Sequence, residues 1–229
     1  MGFILWASLL LSLSTAQAGF NEAVAAVNDG EFAVAHKEFL ALAEQGDARA
    51  QQALAWMYYE GQGRQRNYDK AVYWYRKAAE QGNITAQINL AQMYAYGKGV
   101  QQDFKEAARW WKKLADQGDV KSQLALAGLY YQGSGQERDF GAAVRLWREA
   151  ARQGNVEAQR NLGLMYGKGQ GVAKDDVQAF AWLSAAAAQD DEVAAKSRDY
   201  AQSQLTTEQR KKAETLAREF IEKFVEPFK

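Results

Sequence analysis

Few side chains in this chain of 229 residues are placed to do chemistry. The single imidazole, His36, follows Ala35 on a segment of helical period. Its counterparts later in the chain are Val72, Ala108, Val144 and Phe180. That register is partly apolar, so His36 reads as a packing or surface residue, and a metal site would want more ligands beside it. Cysteine is absent, which removes disulfides, zinc–thiolate sites, a thiol nucleophile and a lipid-modified N-terminal cysteine. None of the eight serines precedes a lysine at Ser-x-x-Lys spacing, and no Gly-x-Ser-x-Gly occurs. Gly97-Lys98 and Gly167-Lys168 lack both the earlier glycine and the Ser/Thr of a phosphate loop. Asp190-Asp191-Glu192 has the charge for a cation, but Asp191 stands where a helix begins, and the helix dipole explains acids there. Asn83-Ile84-Thr85 fits a glycosylation sequon on a residue that reads as a helix cap. Basic and acidic residues balance, 28 against 28, which argues against a broad electrostatic footprint for nucleic acid. No catalytic residue, metal or cofactor is expected. What remains is binding chemistry: the aromatics Trp56, Tyr59 and Tyr131 near Arg49, Lys121 and Arg160.

The elements that carry these residues repeat. Gln-Gly-Asp/Asn occurs at 45–47, 81–83, 117–119 and 153–155, always 36 residues apart, with a worn copy at Gln189-Asp190-Asp191. A fixed period of this length marks stacked units. In the unit from Asn83 to Gly118, Asn83 caps a helix whose apolar face is Ala86, Leu90, Met93 and Tyr94. Gly97-Lys98-Gly99 terminates it. Asp103 with Glu106 has the form of a capping box for a second helix, striped by Ala107, Trp110, Trp111 and Leu114. Each unit is therefore a helix–turn–helix.

Columns recur in register: Tyr58, Tyr94, Tyr130 and Tyr166; Leu54, Leu90, Leu126 and Leu162; Ala71, Ala107, Ala143 and Ala179. Gly61, Gly97, Gly133 and Gly169 are each followed two residues on by Gly63, Gly99, Gly135 and Gly171. Beside the alanines stand Trp74, Trp110, Leu146 and Trp182, then Tyr75, Trp111, Trp147 and Leu183. Small columns beside large ones are what close helix packing requires.

This pattern resembles the Sel1-like repeat family, relatives of the tetratricopeptide repeat with a longer inter-helix loop. Its motif runs Ala-x-x-x-Leu-Gly-x-Leu/Met-Tyr, Gly-x-Gly-Val, Asp-x-x-Lys-Ala-x-x-Trp, Ala-Ala-x-x-Gly, and the resemblance covers 47–190. Ser122 departs from the alanine at Ala50, Ala86 and Ala158. Arg64 and Gln136 replace the valine at Val100 and Val172. Gln101 and Ala173 stand where a proline often follows. The resemblance implies an all-α fold, a right-handed α/α superhelical solenoid of stacked helix-turn-helix repeats, a role in protein–protein interaction, and no common reaction.

Outside the repeats, residues 3–13 are apolar apart from Ser8 and Ser12, and Ala16-Gln17-Ala18 is a small-x-small cleavage pattern. This reads as a signal peptide, 1–18, cut after Ala18. The rival reading, an uncleaved anchor, has a run shorter than the ~20 apolar residues of a spanning helix. Export to a periplasm is expected, with no integral span after cleavage. Residues 19–46 read as a shorter, tetratricopeptide-like capping hairpin. Units follow at 47–82, 83–118, 119–154 and 155–190, and C-terminal capping helices at 191–229. The last of these is boxed by Thr206 and Gln209, with an apolar face of Ala213, Leu216, Ala217, Phe220, Ile221 and Phe224. It either folds back over the fourth unit or serves a membrane or a dimer.

In tetratricopeptide-type stacks the first helix of each unit lines the inner curve. Its variable positions are Arg49, Gln52, Trp56 and Tyr59; Thr85, Ile88, Gln92 and Ala95; Lys121, Leu124, Gly128 and Tyr131; Glu157, Arg160, Leu164 and Gly167. Trp56 shares its column with Gln, Gly and Leu, which suits a surface. Tyr59 and Tyr131 fit binding anchors and packing against the next unit equally well. Two functions compete: an exported, monomeric, non-enzymatic scaffold that binds a protein or peptide on this concave face, and a cell-envelope hydrolase built on repeats. The lack of a nucleophile–base signature favours the scaffold.

Overall fold

A computed structural model describes residues 17–135 and 137–228. No strand occurs among them. The chain divides into two compact units, one ending at Trp110 and the other beginning at Trp111. The first holds α1 (17–28), α2 (Phe32–Glu44), α3 (Ala48–Glu60), α4 (Tyr68–Glu80) and α5 (Ile84–Tyr96). The boundary falls within α6 (Phe104–Ala115). The second holds α7 (Val120–Gln132), α8 (Phe140–Arg152), α9 (Val156–Lys168), α10 (Asp176–Ala187), α11 (Glu192–Ser203) and α12 (Thr207–Phe224), then a 3-10 turn at Glu226–Phe228. In each unit consecutive helices pack on one another, α2 through α5 and α7 through α11, and α12 returns onto α10. Apart from Gln17 and Ala18, the expected signal peptide lies outside the described residues.

The ends of the helices follow from the sequence. Asn83, Asp119 and Asn155 each accept a hydrogen bond from the backbone N–H three residues on, at 2.9, 2.7 and 2.9 Å. Asp191 does the same for Ala194, so it caps α11. Thr206 and Gln209 form the complete box. Asp103 and Glu106 form only half of one. Asp103 accepts from the Glu106 N–H at 3.1 Å, but its own N–H donates to the Tyr94 carbonyl at 2.9 Å. Glu106 instead pairs with Arg109.

The paired glycines do two jobs where the sequence suggests one. Gly97 is the left-handed C-cap of α5, at φ 65°. The second glycine is a contact. At Gly171, φ is 67°, and a Cβ would lie 2.3 Å from the carbonyl carbon and oxygen of Phe140. Gly99 meets the Tyr68 backbone in the same way. The second glycine lets the inter-helix loop lie on the start of the preceding second helix.

The expected columns are the core. Leu54, Leu90 and Leu162, and the alanines at 71, 107 and 143, are wholly buried, and Trp74, Trp110, Trp147 and Trp182 nearly so. The tyrosine column is amphipathic: Arg76 donates to the Tyr94 hydroxyl at 2.6 Å, and Arg148 to Tyr166 at 3.1 Å.

A fourth buried column is polar. Gln51, Gln87, Gln123 and Gln159 are almost fully buried. Each donates to the carbonyl eight residues earlier, of Ala43, Ala79, Ala115 and Ala151. Those carbonyls belong to the last turns of the preceding second helices, and each also accepts from the backbone N–H of the glycine three residues on, so the glutamine takes up the second acceptor site of the oxygen. At three of the four positions the buried amide oxygen accepts from the glutamine of the Gln-Gly-Asp/Asn signature. Gln81 donates to Gln51 at 2.7 Å, Gln153 to Gln123 at 3.2 Å, and Gln189 to Gln159 at 2.8 Å. The signature glutamine is thus a rung of a hydrogen-bonded ladder at Gln51, Gln123 and Gln159, and all four buried amide nitrogens of the column have a partner.

His36 is 1 % exposed, edge-on to Tyr58 with ring centroids 5.3 Å apart, and neither ring nitrogen has a hydrogen-bond partner. Burial, with the positive charges of Arg64 and Lys70 adding to it, holds its pKa down at about 4, against 6.5 for a free histidine. Between those values the unfolded chain binds a proton that the fold refuses. The stability His36 contributes is therefore complete above pH 6.5 and is lost as pH falls towards 4. We expect a loss of about 2 kcal/mol across that window, since the charged ring draws in some water. Urea melts from pH 7 to 4 should show it, and His36→Phe should flatten the curve. Equal slopes in both proteins would place the pH response elsewhere.

Candidate binding face of the first helices

In the first unit the expected binding residues sit on α3 and α5. Arg49 is exposed but engaged: it pairs with Asp47 at 2.7 Å and lies 4.5 Å from the centre of the Phe20 ring. It also donates to Gln17 at 2.6 Å. Gln52, Trp56 and Ile88 are partly buried, and Gln92 is exposed. Tyr59 packs its ring on Tyr68, 5.2 Å between centroids, and its hydroxyl accepts from Lys98 at 2.7 Å. That hydrogen bond raises the Lys98 pKa above the usual lysine value. Tyr59 is therefore partly a packing residue and partly the holder of a lysine.

In the second unit the face comprises α7, α9 and α11. Lys121 is exposed and Leu124 partly buried. Tyr131 packs on Phe140 and Trp147, with centroids 5.4 and 5.5 Å apart, and still borders a cavity of about 230 Å³. Packing and surface are not exclusive for either tyrosine. Arg160 is paired with Asp191, the cap of α11. Its charge is engaged by that carboxylate, so it is not a free basic group beside the aromatics. Leu164 separates the Tyr131 cavity from a second one, of about 350 Å³, bordered by α9, α10 and α11.

Four residues of that second cavity were missed in the sequence: Lys168, Lys174, Lys196 and Tyr200. The signal was present. The 36-residue register continues through α11, so Lys196 falls in the column of Gln52 and Arg160, and Tyr200 in that of Trp56 and Leu164. Reading 191–229 as a cap alone broke the register too soon. Among the described residues no cluster of three or more His, Cys, Asp or Glu could hold a metal ion, and no helix is long and apolar enough to cross a membrane.

The Sel1 repeat family model matches residues 48–83, 84–119, 120–155 and 156–191. Among solved structures, a Sel1 repeat protein from Oxalobacter formigenes is 34% identical, covering 72% of this chain and 48% of its own, with a TM-score of 0.61. The c5321 protein, a protective antigen present in uropathogenic Escherichia coli strains and displaying an SLR fold, is 31% identical. It covers 84% of this chain and 49% of its own, with a TM-score of 0.50. The chain thus spans about half the length of each. No curated protein matches it. Four consecutive repeat matches on stacked helical hairpins show that the chain belongs to the Sel1 repeat family.

Proposed function

We propose that the chain is an exported, monomeric, non-enzymatic scaffold that binds a protein or peptide segment on the face of its first helices. The observation that carries this reading is the contrast between columns. Alanine, leucine, glutamine and the second-helix aromatics repeat and are buried. The first-helix positions at Trp56, Gln92, Gly128 and Leu164 differ in every repeat and stay at least partly open. Packing columns repeat because each interface has the same job, whereas a surface facing a non-repeating partner has no reason to. Trp56 offers a large apolar contact with few rotatable bonds, so its burial on binding costs little ordering. Against the hydrolase reading stand the positions of the groups such chemistry would use. The one imidazole is sealed against Tyr58, and the Ser122 and Ser184 hydroxyls are buried without partners. Export rests on the apolar run at 3–13 and the Ala16-Gln17-Ala18 pattern.

The test is recovery of the protein from its producing cell. Mass spectrometry is expected to find a chain beginning at Gly19, and cross-linking a bound protein. Trp56→Ala, with helicity and melting unchanged, should weaken that complex by about 2 kcal/mol or more, as for a central anchor. An intact Met1 in soluble cytosol would end the export reading. Undiminished binding by Trp56→Ala would remove the first-helix face of the first unit.

A further inference from the structure

The 350 Å³ cavity is made by three residue changes in one repeat. One first-helix column holds Tyr59, Ala95 and Tyr131, but Gly167, with no side chain, stands there on α9. Alanine fills the preceding core column at Ala55, Ala91 and Ala127, but Gly163 stands there. An aromatic fills the facing second-helix column at Tyr75, Trp111 and Trp147, but Leu183 stands there. Gly163 is needed beneath Leu183, because a Cβ would come within 2.7 Å of the leucine Cγ. Gly167 is not needed for packing: a Cβ there would meet only the Ala179 Cβ, at an ordinary 3.6 Å. With no side chain at Gly167, an apolar trough lies open where Tyr59 and Tyr131 stand in two of the other units. Its size suits a small-molecule or side-chain site.

The rim of the trough is basic. Lys168, Lys174 and Lys196 border it against a single carboxylate, Asp176, which is 3.4 Å from Lys174. Among the described residues Lys168 and Lys196 make no salt bridge. Tyr200 stands at the edge with 71% of its surface exposed. Three ammonium groups around an apolar floor, with an open aromatic beside it, match one kind of occupant. It carries negative charge on either side of a bulky apolar group.

We propose that this trough binds an acidic peptide segment, taking one bulky apolar side chain over Gly167 while Lys168, Lys174 and Lys196 meet the flanking carboxylates. The proposal rests on the peptide-binding reading above and locates a specificity site within it. Uncompensated lysines at the rim attract such a segment from a distance and reject a basic one.

The probe is a fluorescein-labelled amidated peptide, Gly-Asp-Glu-Phe-Glu-Asp-Gly, titrated with the full chain by anisotropy at low ionic strength. Saturable binding is expected, weakened about tenfold or more when the peptide's phenylalanine is alanine or its acids are lysine. Gly167→Tyr restores the side chain that Tyr59 and Tyr131 supply, and should abolish binding with melting unchanged. Lys168→Glu with Lys196→Glu, both at exposed positions, should weaken it about tenfold and remove its salt dependence. Equal affinity for the alanine peptide, or binding indifferent to both variants, overturns the proposal. So does a dimer in sedimentation that Gly167→Tyr dissolves, which would give the trough to a second copy. The cell-derived complex separates the two readings. If Trp56→Ala weakens it while Gly167→Tyr does not, the trough fails and the scaffold stands; if neither matters, both fail.

Discussion

Gly171→Ala is expected to destabilise the second unit by about 4 kcal/mol, where Gly118→Ala costs about 1 kcal/mol. Both glycines have positive φ, 67° and 89°. Entering the left-handed region costs any non-glycine residue about 1 kcal/mol or more, and at Gly118 that is the whole effect, since nothing lies within 4 Å of the added methyl. At Gly171 the methyl would occupy space held by the Phe140 carbonyl, 2.3 Å away, and a backbone group in the first turn of a helix cannot rotate aside. Either α8 or the loop must move, and such overpacking costs a further 1–3 kcal/mol or so. Urea melts of the two variants measure the difference. Equal losses would mean that the loop yields, and that the second glycine is only a turn residue.

Trp182→Ala should cost about 4 kcal/mol, within the usual range for a large aromatic in a core. Trp182 is 4% exposed. Its ring lies 4.2 Å from that of Phe220 and is stacked 5.5 Å from that of Phe224. The cavity left by truncation would open between α10 and α12, and α12 has little other anchorage: Ala213 and Ala217 are its only buried residues. Loss of global stability should therefore come with early amide exchange along α12. A stable variant with α12 still protected would contradict the core role of Trp182.

Most of the fold is legible because packing repeats. Leu90, Ala107 and Trp110 are readable as core from their register alone, as are Asn83 and Asp119 as caps. Two columns with equal regularity were harder. Gln51, Gln87, Gln123 and Gln159 are as invariant as the leucines, but glutamine is usually a surface residue, and only the carbonyls they meet explain their burial. The second glycines resemble helix terminators, because a contact between distant backbones leaves no local mark. The candidate site is less legible for the opposite reason: its identity lies in exceptions. Arg160 looks like a free charge until Asp191 is placed beside it. The trough exists through side chains that are absent at Gly163 and Gly167, and an absence reads as nothing until the neighbours that should have been touched are seen.

The glutamine ladder bears on how such a chain is inherited. Each rung supplies one donor towards the N-terminus and one acceptor towards the C-terminus, as Gln81 to Gln51 and Gln189 to Gln159 show. A tandem duplication of 36 residues, begun at any point in the unit, arrives with both. The copy therefore brings the donor and the acceptor of a rung in the register that Gln51, Gln123 and Gln159 use. An insertion of another length inside a helix would break a rung and strand a glutamine in the core, at a cost of about 1–3 kcal/mol. A gain or loss of a whole 36-residue unit thus costs the buried glutamines less than a shift of any other length.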